Sequence, residues 1–182
     1  VAAAVEDGRI AAVSSQGAMM DGLASLFNLV RQCGLAHVLR STGLALRDAA
    51  AAALGGARVT AAVVGPPGSS AVLNTPDSEP GYLAIAPKEW VNEISTSWML
   101  TLSTYRPNRM TPKLPCPALF CIATDDVVVP PSAMEDGARR APDKIEVKRY
   151  AAGHFDIYVP PVFNQVVACL LYTSDAADER SS

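Results

Sequence analysis

The sequence predicts an α/β fold: the last strands of a parallel sheet, interrupted by a mostly helical insertion. Three observations carry this. Ala118-Leu-Phe-Cys-Ile-Ala123 is an unbroken apolar run, as a strand covered on both faces requires. It is followed by a helix signal at Pro130-Pro131, and then by Lys144-Ile-Glu-Val-Lys-Arg-Tyr150, which alternates apolar and charged residues like an edge strand. Upstream, an Ala-rich helix end, a tight turn and a short apolar run form one more helix-to-strand step of the same kind.

In chain order, Val1 to Val5 reads as the end of a helix, and Glu6-Asp7-Gly8 stops it. Arg9-Ile-Ala-Ala-Val-Ser-Ser15 is the short strand. Asp21 suits the N-cap of a helix whose apolar face is Leu23, Leu26, Phe27 and Val30. Cys33-Gly34 ends that helix, and a second runs from about Leu35 to Leu54, where Gly55-Gly56 stops it. Arg58 to Val64 is strand-like by its β-branched residues, and Gly65-Pro-Pro-Gly-Ser69 and Asn74 to Gly81 read as loop. Trp90 to Tyr105 reads as one or two helices, broken by Arg106-Pro-Asn-Arg109. So long a helical stretch between two sheet strands exceeds an ordinary connection and reads as an inserted cap. A final helix begins near Pro161, with Val162, Phe163, Val166 and Val167, and its pattern fades after Ala168.

Composition bounds the function. The chain has 182 residues, 49% of them hydrophobic, with mean hydropathy +0.18, so a packed core is expected and disorder is not. A net charge of −3 without a basic cluster argues against nucleic acid. The longest apolar stretch, Ala49 to Val64, is broken by Gly55, Gly56 and Arg58, which argues against a membrane span. No leader sequence is recognised and a cytoplasmic location is expected, although Val1 opens mid-pattern and leaves the true start open. Cys33, Cys116, Cys121 and Cys169 lack metal-ligand spacing and are expected to be reduced structural residues; neither metal nor cofactor is expected.

The chemistry concentrates at two strand ends. Asp125 and Asp126 follow the apolar strand, and His154 follows the next strand, behind Gly153 and before Phe155. A hydrolytic nucleophile needs a base near neutral pKa, which histidine supplies, and a carboxylate that fixes its tautomer. His154 is the candidate base and Asp126 the candidate acid. The plainer readings are a hydrogen-bonded loop histidine for His154, an exposed turn carboxylate for Asp125, local loop structure for Asp156, and cap packing for His37. Trp90, Trp98, Met99 and Tyr105 read as core residues or as the lining of an acyl pocket. Gly65-Pro-Pro-Gly68 is no phosphate loop, since it lacks the Lys-Ser/Thr and its prolines remove backbone donors.

Pro117 to Pro131 resembles the acid-bearing segment of α/β-hydrolases, with Asp126 four residues before Pro130. Ala152-Gly-His-Phe-Asp156 resembles the histidine loop of that family. Arg9-Ile-Ala-Ala-Val with Asp21-Gly-Leu resembles the segment after the nucleophile helix in its serine-aminopeptidase-like and polyketide-transferase-like branch. The resemblance implies a chain order of nucleophile, acid, histidine, and implies attack on an ester, amide or other acyl bond of a small-molecule substrate. The family's Gly-x-Ser-x-Gly elbow is not in this sequence. Ser14 and Ser15 lie at a strand end, and Ser69 lies in a Pro-rich loop with no helix following, so none of them suits the nucleophile. The 182 residues are therefore expected to be inactive alone. An acyltransferase and a non-catalytic binding protein on the same fold are the alternatives.

The expected organisation is hydrolase core at 1–16, cap at 17–115 and core again at 116–168. The remaining segment, 169–182, resembles the read-through translation of a transposase sequencing adapter and is expected to be non-native.

Overall fold

A computed structural model describes residues 1–178 of the chain. In order the elements are α1 (Ala2–Glu6), β1 (Val13–Gln16), α2 (Gly22–Cys33), α3 (Leu35–Ala53), β2 (Thr60–Ala61), α4 (Ser78–Ile85), β3 (Ile94–Ser95), β4 (Ala118–Ala123), α5 (Pro131–Arg140), β5 (Ile145–Tyr150) and α6 (Val162–Asp178). Short 3₁₀ turns occupy Ser97–Thr104, Pro107–Arg109, Thr111–Lys113 and Asp156–Tyr158.

The sheet is parallel, in the order β1-β4-β5. Its central strand β4 is buried at all six residues, as its unbroken apolar run requires. Alternation along β4 divides the core in two. Ala118, Phe120 and Ile122 join Ala4, Met20, Ala133, Met134 and Ala138 in one cluster, which brings in α1 and α5. Leu119, Cys121 and Ala123 join Ile157 and Val166 in the other, which brings in α6. Phe120 has no exposed surface. Phe120→Ala is expected to cost about 3–5 kcal/mol of unfolding free energy, from lost transfer plus a cavity that the sheet cannot close; urea denaturation measures it.

Between β1 and β4 the chain builds the helical hairpin α2–α3 and the two-stranded ladder β2–β3. Asp21 caps α2 as expected, its Oδ1 accepting from the amides of Leu23 (3.0 Å) and Ala24 (3.2 Å). Burial pushes the Asp21 carboxyl up, but the Arg106 guanidinium, the Ala24 amide and Asn108 together hold it below its ordinary range.

The hub of this region is Asp48, which lies on α3 and has no exposed surface. One carboxylate oxygen accepts from Arg58 Nε (2.6 Å) and the Val59 amide (2.9 Å). The other accepts from Arg58 Nη2 (2.6 Å) and the amides of Thr96 (3.0 Å) and Ser97 (2.8 Å). The Arg58 guanidinium drives the Asp48 carboxyl far below the carboxylate range against the opposing effect of burial, and the amides of Ser97 and Val59 add to the lowering.

Several elements differ from the expectation. The run Arg58 to Val64 pairs only at Thr60–Ala61, because the chain turns into an isolated bridge, Val64 with Leu73. The expected helix over Trp90 to Tyr105 is instead β3 followed by the 3₁₀ turn Ser97–Thr104. Asn74 to Gly81, expected as loop, enters α4 at Ser78, and Pro80 is tolerated because it lies in the first turn. Phe27, placed on the apolar face of α2, is 68% exposed. The final helix does not fade at Ala168: Val162, Val166, Cys169 and Leu170 form one helical stripe on the β4 cluster, and α6 runs on to Asp178. The last residues of the adapter-like segment, 179–182, lie outside the described residues.

Candidate active site

Parallel pairing brings the two candidate catalytic residues together. Ala123 at the end of β4 pairs with Tyr150 at the end of β5. The loops that follow stay side by side: the Thr124 amide donates to Tyr150 O (2.9 Å) and the Asp125 amide to Ala152 O (3.1 Å). Asp126 and His154 therefore leave the same carboxyl edge of the sheet, where a parallel α/β fold collects its ligands.

His154 Nδ1 and Asp126 Oδ2 are 2.7 Å apart. An ionised carboxylate can only accept, so this contact suits the tautomer with its proton on Nδ1 and Nε2 free to accept. The other oxygen, Asp126 Oδ1, accepts from the amides of Val128 (2.8 Å) and Val129 (2.7 Å). These two bonds fix the plane of the carboxylate. The side chain of Asp126 is 3% exposed and that of His154 16%, so the pair is sheltered while the imidazole keeps an open side. Asp125, one residue earlier, is exposed, and Asp156 turns back to accept from the Gly153 amide (2.8 Å), holding the histidine loop.

Three supports surround the pair, and of their residues only Phe155 was marked by the sequence as a neighbour of His154. Gly17, directly after β1, has φ +49°, and a Cβ there would lie 3.6 Å from His154 Cε1 and 3.2 Å from Ile157 Cδ1. The positive φ favours glycine, and any side chain there would press on Ile157 beside the imidazole. Asn28 on α2 donates through Nδ2 to Val127 O (2.9 Å) and Val128 O (3.2 Å), tying α2 to the loop that carries Asp126. On the other side, Phe155 packs edge-on to His154 with centroids 4.8 Å apart, Tyr82 on α4 reaches Phe155 at 6.1 Å, and Trp90 covers Tyr82 at 4.7 Å. Gly81 permits this, since a Cβ there would come within 2.5 Å of the Phe155 ring.

A cavity of about 140 Å³ lies between α2, α3, the Ser97–Thr104 turn and the acid loop. Its walls are mostly apolar, and they include Trp98, Met99, Val128 and Val129. Of the four residues read as a possible acyl lining, it brings Trp98 and Met99 together. Trp90 stands in the aromatic stack by the histidine loop, and Tyr105 is 46% exposed. His37 is buried on α3, with Nδ1 3.3 Å from Asn74 Nδ2, and packs within the segment between β1 and β4. Ser14 and Ser15 lie on β1, and the Ser69 hydroxyl accepts from the Ala71 amide (3.3 Å). Cys116 and Cys121 are buried free thiols, and burial pushes Cys121 up to about 11, which leaves it an inert core residue. Among the described residues no cluster of three or more His, Cys, Asp or Glu could hold a metal ion, and no helix is long and apolar enough to cross a membrane.

No family model matches the chain. Over 169 residues it is 36% identical to the quorum-quenching protein AidA of Acinetobacter baumannii, covering 92% of this chain and 54% of that protein. Among solved structures it is similar to the alpha/beta hydrolase GrgF from Penicillium, with TM-score 0.67 and 20% identity over 98% of this chain and 58% of that one. A second, DcsB in complex with its substrate analogue, gives TM-score 0.64 and 14% identity over 95% of this chain and 59% of that one. The 182 residues thus span little more than half the length of each of these proteins.

Proposed function

The chain has the α/β-hydrolase fold, and from that premise we propose that it supplies the base and the acid of a nucleophile–histidine–aspartate triad cleaving an acyl bond. One observation carries the reading: the 2.7 Å contact of His154 Nδ1 with an Asp126 carboxylate already fixed by two backbone amides. In this scheme His154 Nε2 takes the proton from the attacking hydroxyl and returns it to the leaving group. Asp126 holds the tautomer and stabilises the imidazolium. The nucleophile and the oxyanion donors would come from parts of the whole protein outside these residues, and the chain by itself would not turn over. The cavity beside the acid loop would take the acyl side of the substrate. The name of the Acinetobacter relative makes a bacterial quorum signal the first natural substrate to try.

The test is His154→Ala in the whole protein, assayed on a simple acyl ester with water and an alcohol as competing acceptors. Loss of turnover in the variant, with the free acid as main product of the parent, supports the hydrolase. An alcohol adduct as main product would make it a transferase, and undiminished turnover in the variant would remove His154 from the mechanism.

A further inference from the structure

The outward face of α3 is apolar where an exposed helix face is ordinarily polar. Leu35, Leu39 and Leu46 are 60%, 64% and 56% exposed. At 3.6 residues per turn they fall within about 40° of one another, and the exposed Ala53 continues the row. The buried side of the same helix is His37, Ser41, Ala45 and Asp48, so these leucines face away from the core. Single exposed leucines are ordinary, but a row of them marks a contact surface. The exposed Arg40 and Arg47 run along one flank of the row, roughly 110° round the helix.

A leucine row does not by itself say what covers it, but the charge around it does. Residues 22–76 carry four arginines, Arg31, Arg40, Arg47 and Arg58, against one acid, Asp48, a net of +3 in a chain whose total is −3. Asp48 is buried and paired with Arg58. That leaves Arg31, Arg40 and Arg47, all exposed, and among the described residues no ion pair engages them. We propose that the outer face of α3 docks on an anionic lipid bilayer. Its leucines enter the boundary between headgroups and acyl chains, and its arginines meet the phosphates. A nucleic acid would supply phosphates but no apolar phase for the leucines. A second copy of the chain packed antiparallel on the row would oppose arginine to arginine. In neither direction would it meet an acid, because α2 and α3 carry none besides the buried Asp48. Each arginine near an anionic surface strengthens attachment about fivefold, and the inserted side chains add a part that salt screens little. The surface also borders the cavity. Val38, Ser41 and Thr42 of α3 line it, and Thr42 is exposed, so Thr42 stands at the cavity rim beside the leucine row. Docking sets that rim against the phase in which long acyl chains dissolve. The proposal does not rest on the acyl-bond reading, since lipid binding needs no chemistry at His154.

Co-sedimentation with vesicles tests it. The purified chain should pellet with vesicles of phosphatidylcholine and phosphatidylglycerol in equal parts, and stay in solution with phosphatidylcholine alone. Arg40→Gln combined with Arg47→Gln should weaken attachment to the mixed vesicles about thirtyfold. Leu39→Gln combined with Leu46→Gln should weaken it about tenfold or more, at low salt as well. All four positions are exposed, so thermal unfolding should match the parent. Arg9→Gln, the same loss of charge outside the segment, should bind like the parent. Failure to bind the mixed vesicles, equal binding to both kinds, or binding unchanged by the leucine substitutions overturns the proposal. A dimer in analytical ultracentrifugation that the leucine substitutions abolish would assign the face to a second copy instead. Binding by the chain but not by the whole protein would assign it to the rest of the protein, and overturns the proposal as well.

Discussion

On the proposed mechanism, Asp126→Asn in the whole protein should lower kcat on an acyl ester by about ten-thousand-fold, the scale seen when a triad carboxylate becomes an amide. The geometry explains why so small a change costs so much. The two oxygens of Asp126 have separate partners: Oδ1 accepts from the amides of Val128 and Val129, and Oδ2 faces His154 Nδ1. An asparagine keeps its carbonyl oxygen on the amides, because its NH₂ group cannot accept from them. That places the NH₂ against Nδ1, forces Nδ1 to become an acceptor, and moves the ring proton to Nε2. The nitrogen that must take the proton from the nucleophile then already carries one. The side chain is nearly isosteric and the loop keeps its bonds to Asn28, so thermal unfolding should barely change. Asp125→Asn is the control, since Asp125 is exposed, and its turnover should match the parent. A tenfold or smaller loss in Asp126→Asn with an intact fold would show that Asp126 does not set the tautomer.

The placement of Asp126 beside His154 was legible in the sequence because their positions follow from short-range patterns. An apolar strand ending in Asp125-Asp126 and an alternating strand ending before Gly153-His154 place both groups at strand ends, and parallel pairing of Ala123 with Tyr150 does the rest. The partners that hold the pair in place were not legible. Asn28 is 98 residues from Asp126 in the chain, and nothing local marks an asparagine in the middle of an amphipathic helix as a clamp on a distant loop. Gly17 and Gly81 look like ordinary glycines until the backbone shows that one lies under the imidazole and the other against Phe155. Between β1 and β4, local pattern misled where tertiary contacts decide. The apolar residues of Trp90 to Tyr105 suit a helix, but Thr96 and Ser97 give their amides to Asp48, which fixes a short strand and a 3₁₀ turn instead. Asp48 itself had one visible oddity, an acidic residue entering a run of alanines. Its partner Arg58 lies beyond the Gly55-Gly56 stop, so no helical spacing links the two.

Asp48→Asn should lower the melting temperature of the chain by on the order of 10 °C at pH 7, since it removes the charge that pairs a half-exposed Arg58 and turns one buried acceptor oxygen into a donor facing backbone amides. Its pH dependence separates this cause from simple misfit. The folded protein holds the Asp48 carboxyl far below its ordinary range, while the unfolded chain releases its proton near the usual pKa of about 3.9. The stabilisation is therefore fully present above that value and falls away as the pH drops below it, when the unfolded state takes up the proton first. The gap between parent and variant should be widest near neutrality and should narrow steadily below about pH 4. A gap independent of pH would mean that the charge on Asp48 is not what stabilises the fold. Amide exchange localises the effect, because Val59, Thr96 and Ser97 donate to Asp48 and should lose protection before the β4 amides do. The consequence reaches the binding cavity by covalent continuity. Trp98 and Met99 follow Ser97 directly, and Val38, Ser41 and Thr42 lie on the same helix as Asp48. Asp48 therefore pins two walls of the cavity to each other. In the whole protein its loss should raise KM for long-chain acyl esters while leaving acetate esters, which reach only the Asp126–His154 pair, at their former rate.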